Sequence, residues 1–397
     1  MSLPLEGVKV LELTHAVLGP TAGVILADLG AEVIKIEPTP KGDPTRYLKG
    51  FGMGFFPYLN RNKQSLAVNL KTDEGKEIVH KLLEDTDVLL ENYGPGTIER
   101  LGFGYDTLKQ QYPKLIFCSL KGFLPGPYEN RIALDEVVQM MSGLAYMTGP
   151  PGRPLRAGAS VIDVMTGMYG AMGVILALKE RDKTGKGQFV KTALFETAAF
   201  LMGQHMAYHA ASGEELPPFP ARVSAWAIYH QFETADDKII FIGVTSDKQW
   251  KRFCEVFERS DLSGDERLAS NNSRITAQDW LLPDLREMIS KLTLTEAVRH
   301  CEEARLPFSP VAQPEDLFDD AQLNEGDSLY ETTFPDGIET KLPKLPLLLG
   351  DYEWVLRNDP PQVSEHSGAI LQRLGYTAEE IDALAEEGII VKGNANE

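Results

Sequence analysis

Asp163 stands at the head of the stretch DVMTGMYGAMGVILALK, which is apolar nearly all round, and this placement gives its carboxylate two possible occupations. At a helix start, free N–H groups and the positive end of the dipole favour an ionised side chain, so Asp163 reads either as an N-cap or as a carboxylate kept charged for chemistry. Other candidates offer less. Glu37 closes the run EVIKIE where a Rossmann fold places its ribose-binding acid, but Gly19 to Gly23 spell GPTAG in place of GxGxxG, which speaks against a nicotinamide dinucleotide. His205 and His209 stand four apart like helix-borne zinc ligands, yet the acid of HExxH is missing and no third ligand is near. Cys118, Cys254 and Cys301 are scattered and lack a neighbouring histidine to activate a thiolate, so they read as packing residues, and no metal site is expected.

The elements that must position these groups follow a simple rhythm. VKVLEL, TAGVILADLG and EVIKIE read as strand, helix and strand; KEIVHKLLEDT before DVLLENY, and YDTLKQQYP before LIFCSLKGF, repeat the unit. Such alternation implies a parallel sheet covered by helices. The helix opened by Asp163 carries Gly167, Gly170, Ala171 and Gly173, small residues that permit close backbone approach, and the turn DKTGKGQ ends it before the strand FVKTAL. At Pro217, Pro218 and Pro220 the rhythm stops. AIYHQFETADDKIIFIGV then reads as two strands about a turn, with helices after it. Thr377 with Glu380 three residues on forms a capping box, so a last helix is expected to dock back on the first domain. The expected fold class is α/β: a Rossmann-like parallel-sheet large domain over residues 1–210, completed by 345–397, and a smaller α+β domain over 225–320, joined by linkers at 211–224 and 321–344.

A chain of 397 residues has ample length for a sizeable core and suggests two or three domains. With 43% apolar and 24% charged residues it resembles soluble globular proteins and not disordered or fibrous ones. The balance of 58 acidic against 39 basic residues leaves −19, a field that repels nucleic acid and acidic membrane, so no nucleic acid and no membrane are expected as partners. An anionic ligand must then be held by a local basic patch. Few cysteines, no export signal and no apolar run of bilayer length point to a reducing cytoplasm.

Several long motifs, in order, resemble class III CoA-transferases of the CaiB/BaiF family: PLEGVKVLELTHAVLGPTAGVILADLGAEVIKIEP with GDPTR, then NRNKQSLAVNLKTDEGKE, ENYGPGTIERLGFGY, SLKGF, and ASVIDVMTGMYGAMGVILAL with KTGKGQ. The resemblance covers most of residues 4–200 and returns more weakly at LPFSPV and SEHSGAILQRLGY. It implies two interlocked identical chains, each with a Rossmann-like domain that binds acyl-CoA, and no prosthetic group, coenzyme A entering as a thioester substrate with a small carboxylic acid as partner. By position, Asp163 matches the family's catalytic aspartate, and Asp135 matches an acidic residue that arranges it, with helix capping the open alternative. The likeness points to Lys71, Arg100 and backbone around His15, Ala16, Val17 and Val68 for coenzyme A, with Asn92, Tyr93 and Leu101 in the same zone. The chain departs at Pro38, where some relatives have arginine, and at Ile132, where some have a phosphate-contacting lysine; Arg131 lies beside it.

Racemases of the same family need a base on each face of the substrate. Where they carry a histidine before the residue matching Asp135 this chain has Leu134, and where they carry a glutamate it has Ser246, so transfer is favoured over isomerisation. An isomerase would exchange the hydrogen beside the thioester carbonyl with deuterated water without an acceptor acid. A catalytically silent CoA-binding partner subunit is the third reading, against which the presence of Asp163 speaks. The glycine-rich lid of some formyl- and oxalyl-specific relatives is replaced by PARVSAWAIYH. There Arg222 reads as a surface arginine or as a partner for the second carboxylate of an acid such as succinate, itaconate, mesaconate or citramalate.

Overall fold

A computed structural model describes residues 3–221 and 224–393. Six strands, β1 (Lys9–Leu13), β2 (Glu32–Glu37), β3 (Lys63–Ala67), β4 (Val88–Glu91), β5 (Ile116–Lys121) and β6 (Phe189–Ala193), form one sheet in the order β3-β2-β1-β4-β5-β6, every pair parallel. Alternation along the strands sends Leu11, Ile34, Leu66, Leu89 and Phe117 to one face and Val10, Val33, Val88, Leu90 and Ile116 to the other. Both faces are apolar because both are covered. Helices Asp73–Leu83, Tyr105–Gln111, Ser367–Arg373 and Ala378–Glu386 pack on the first face through Ile78, Leu82, Leu108, Ile370 and Ile381. The capping box at Thr377 and Glu380 is formed, and the helix that it opens joins this core.

The second face carries helix Leu18–Asp28, over β1, β2 and β4, and the long helix Val161–Thr184, over β5 and β6, and the two helices lie against each other. Glycine makes that approach possible: a Cβ at Gly167 would stand 2.8 Å from the Leu18 carbonyl oxygen, and one at Gly170 would stand 2.8 Å from Leu120 Cδ2. At 24 residues the long helix has the length and apolar character of a bilayer span; here one side of it is sheet core, while Val164, Met168, Met172 and Leu176, each four residues from the last, are exposed.

The chain divides into two compact units, Met1–Pro220 with Glu325–Glu397 and Ala221–Asn324. The smaller unit holds the antiparallel sheet β7 (Ile228–Glu233), β8 (Ile239–Val244) and β9 (Phe308–Pro310), backed by Trp250, Phe253, Leu281 and Leu285 from its helices. Residues 321–344, expected as a linker, instead contain helix Ala321–Glu325 and an antiparallel hairpin, β10 (Leu329–Thr333) and β11 (Glu339–Pro343), whose Tyr330 packs with Leu29 of the larger unit's core.

Candidate active site

The strand order reverses between β1 and β4: from β1 the chain moves to β2 on one side, from β4 to β5 on the other. The crevice beyond their carboxyl ends is the natural ligand site of such a sheet. Two loops enclose it and are tied together, His15 N–H donating to Asn92 Oδ1 (3.0 Å) and Asn92 Nδ2 donating to the His15 carbonyl (2.9 Å). Ala16, at φ +61°, is held by its N–H donating to Thr45 Oγ1 (3.0 Å), and Thr45 in turn donates its own N–H and hydroxyl to Asp43 Oδ1 (2.8 and 2.6 Å).

A buried charge cluster supports these loops. Lys35, in mid-strand β2, donates to the Thr14 carbonyl (2.7 Å) and pairs with Asp43 (3.0 Å) and Glu12 (3.4 Å), while Lys63 reaches Glu12 at 2.8 Å. Burial opposes the Lys35 ammonium, but Asp43, Glu12 and Glu37 outweigh it and hold the group above the usual lysine range. Lys63, equally buried, is brought down to about 8 by desolvation, which Glu12 only partly offsets. Glu37, the residue a dinucleotide reading would aim at a ribose, is spent here: it accepts from Arg46 Nε and Nη2 (2.7 and 2.6 Å), Ser65 Oγ (2.6 Å) and Asp43 N–H (2.7 Å).

Asp163 is the third residue of the long helix, whose N-cap is Ser160, so the N-cap reading of Asp163 is corrected. The cap comes from elsewhere. Asp135, buried at the start of helix Asp135–Met141, accepts at Oδ2 from the N–H groups of Ile162 (2.8 Å) and Asp163 (3.0 Å). Two first-turn donors of the long helix are therefore occupied. Being supplied from 28 residues upstream, the cap left the Asp163 carboxyl free to face a cavity of about 430 Å³. Burial first and the Asp135 charge second push that carboxyl up to about 7, with Arg156 pulling the other way.

The cavity gathers most of the residues that the sequence pointed to: His15, Ala16, Val17, Asn92, Tyr93, Arg131, Asp135 and Asp163 all line it, with Leu18, Phe51, Phe55, Leu134 and Leu194 as apolar wall. A second cavity, about 410 Å³, is lined by Val68, Lys71, Leu101 and Pro38, and Tyr93 borders both. Arg131, expected beside the nucleotide end, lies instead in the Asp163 cavity, its guanidinium 4.9 Å above the Tyr128 ring. Arg100 lines neither; it donates to Thr97 Oγ1 (2.8 Å). Ser246 caps helix Asp247–Val256 in the smaller unit, and Arg222 lies outside the described residues. Among the described residues no cluster of three metal-ligating side chains occurs.

Sequence reasoning missed Lys121 and Arg156, which line the Asp163 cavity, Gln139, which donates to Asp135 Oδ1, and Lys35. The last had a signal: a lysine inside the strand EVIKIE must find a carboxylate or leave the core. Gln139 and Arg156 had none, since the fold alone brings Gln139 to Ala157 and Arg156 to Asp135.

Residues 5–367 match the sequence profile of CoA-transferase family III. A succinate–glutarate CoA-transferase of Agrobacterium fabrum is 32% identical, over 94% of this chain and 96% of its own. A succinyl-CoA:mesaconate CoA-transferase of Haloarcula marismortui is likewise 32% identical, over 83% and 86%. Among solved structures, a CaiB/BaiF family protein from Brucella suis superposes with a TM-score of 0.85 at 30% identity, covering 94% of this chain and all of that one.

Proposed function

Since the chain belongs to CoA-transferase family III, we propose that it moves coenzyme A between two carboxylic acids through Asp163, at least one of the two being a dicarboxylic acid. The observation that carries this reading is the Asp163 carboxyl facing a largely apolar cavity with its main chain fixed by Asp135 and its proton affinity raised to about 7. A desolvated carboxylate of this kind is a competent nucleophile toward a thioester. Its oxygen attacks the donor carbonyl, the C–S bond breaks, and an acyl-aspartyl anhydride and coenzyme A thiolate result. The thiolate attacks the aspartyl carbonyl, releasing the donor acid as its carboxylate and leaving an aspartyl-CoA thioester. The acceptor carboxylate then displaces the thiolate from that thioester, and the thiolate attacks the acceptor carbonyl to give the new acyl-CoA and free Asp163. No net proton is consumed.

Coenzyme A spans the two cavities in this reading, with Lys71 at the phosphate end, Tyr93 between, and the thioester at Asp163. Support for a dicarboxylic acid comes from the named substrates of the relatives and from two guanidinium groups, Arg131 and Arg156, that line the Asp163 cavity. Leu134, on the same wall, offers no second base and disfavours isomerisation. A second copy of the chain is the proposed cover for the exposed apolar stripe Val164, Met168, Met172 and Leu176, and the three buried free thiols suit a reducing cytoplasm.

The test is to incubate the protein with a panel of acyl-CoAs, quench with hydroxylamine, and map the modified peptide by mass spectrometry. Modification confined to Asp163 is expected; undiminished turnover after Asp163→Ala overturns the reading.

A further inference from the structure

Gln139 lies one turn beyond Asp135 on helix Asp135–Met141 and is completely buried, yet it borders neither cavity. Its amide is used at both ends. Nε2 donates to Asp135 Oδ1 (2.5 Å), and Oε1 accepts the N–H of Ala157 (2.9 Å), at the start of the turn that leads into Asp163. Arg156 works on the same turn, donating to the carbonyls of Ala157 (3.0 Å) and Ala159 (3.2 Å) while its Nη2 stands 3.5 Å from Asp135 Oδ1.

The consequence concerns which oxygen of Asp135 does what. With Oδ1 engaged by Gln139 and approached by Arg156, Oδ2 alone remains to receive the N–H groups of Ile162 and Asp163. Rotation of the carboxylate would break all of these bonds together. An amide suits the position because it offers a donor to the carboxylate and an acceptor to the Ala157 N–H; a carboxylate or an alkyl chain there offers one or neither.

We propose that Gln139 is a positioning residue for the transfer reaction, acting through Asp135 and Ala157 to hold the Asp163 carboxyl in line with the thioester carbonyl. The proposal rests on Asp163 being the nucleophile. Since Gln139 contacts no ligand space, its loss slows the covalent step without weakening thioester binding.

The experiment uses the full chain with substitutions Gln139→Leu, which removes both bonds, and Gln139→Asn, which shortens the reach with less disturbance of the core. Single-turnover reactions with an acyl-CoA that modifies the wild type, quenched with hydroxylamine, give the rate constant of Asp163 modification and the fraction finally modified. The expected result is a rate constant lowered by about 10- to 100-fold, as for a nucleophile displaced by a fraction of an ångström to 1 Å. The final fraction and the dissociation constant for the thioester should stay within about twofold of wild type, well inside the change expected in rate. An unchanged rate constant overturns the proposal, as does a lowered final fraction at wild-type rate constant, which would mark a purely structural role. If Gln139→Leu does not fold, Gln139→Asn decides by the same two numbers. Wild-type protein that never modifies Asp163 refutes the nucleophile, and the positioning role falls with it; wild-type modification with an unchanged rate constant in the variants refutes the positioning role alone.

Discussion

Replacing Asp163 by asparagine should make the folded protein more stable, by a margin that opens above about pH 4 and is complete above about pH 7. The carboxyl is moved from its ordinary 3.8 to about 7 by burial and by the neighbouring Asp135 charge, so the native state binds this proton far more tightly than the unfolded chain does. Stability from this group is therefore at its highest below about pH 4, falls as pH rises from there to 7, and is lowest above 7. A displacement of that size corresponds to about 4 kcal/mol. The carboxyl faces a cavity that solvent can enter, and screening reduces the effect to about 2–4 kcal/mol. Asparagine keeps the shape and removes the ionisation, so Asp163→Asn should match wild type near pH 4 and exceed it by that margin at pH 8. Urea unfolding at pH 4, 6 and 8, followed by a probe in the larger unit, measures the difference. Equal stability at all three values, or a larger gain at pH 4 than at pH 8, would refute the claim that the site holds its carboxylate at a cost to the fold.

Asp135→Asn removes the second cause of the raised Asp163 proton affinity and sets an amide N–H against Gln139 Nε2, which donates to this position. The rate of Asp163 modification should fall at least about tenfold, and the pH midpoint of that rate should move below that of wild type, both read from single turnovers across pH 5 to 9. Lys71→Ala should raise KM for an acyl-CoA by about 10- to 100-fold, the loss of one charge-assisted phosphate contact, while kcat is unchanged. A thioester of pantetheine, which lacks the phosphates, should be used equally by both proteins.

The strand and helix order of the larger unit was readable because buried parallel strands are short apolar runs and the covering helices carry one apolar face. KVLEL, EVIKIE and VLLE announce β1, β2 and β4 without further context. The hairpin β10–β11 was not readable: LYETT and ETKLP are polar and half exposed, and only the turn residues Pro335, Asp336 and Gly337 between them carried a signal. At the site, the N-cap reading of Asp163 failed for one reason. Capping is commonly supplied by the residue at the helix start, and nothing in neighbouring sequence reveals that Asp135, on another helix, does it here. Arg131 shows the same limit. Proximity in sequence to Ile132 suggested the phosphates, whereas the path of the chain carries it to the wall of the Asp163 cavity.

The apolar stripe along the long helix begins at Val164, the residue immediately after Asp163. A surface that gains from being shut away from water and a group whose reactivity depends on limited water are thus consecutive links on one rigid rod. With a second copy covering that stripe, as proposed above, a change that loosens the rod's outer side is transmitted to the carboxylate at its tip, and dilution of the protein should register in its specific activity.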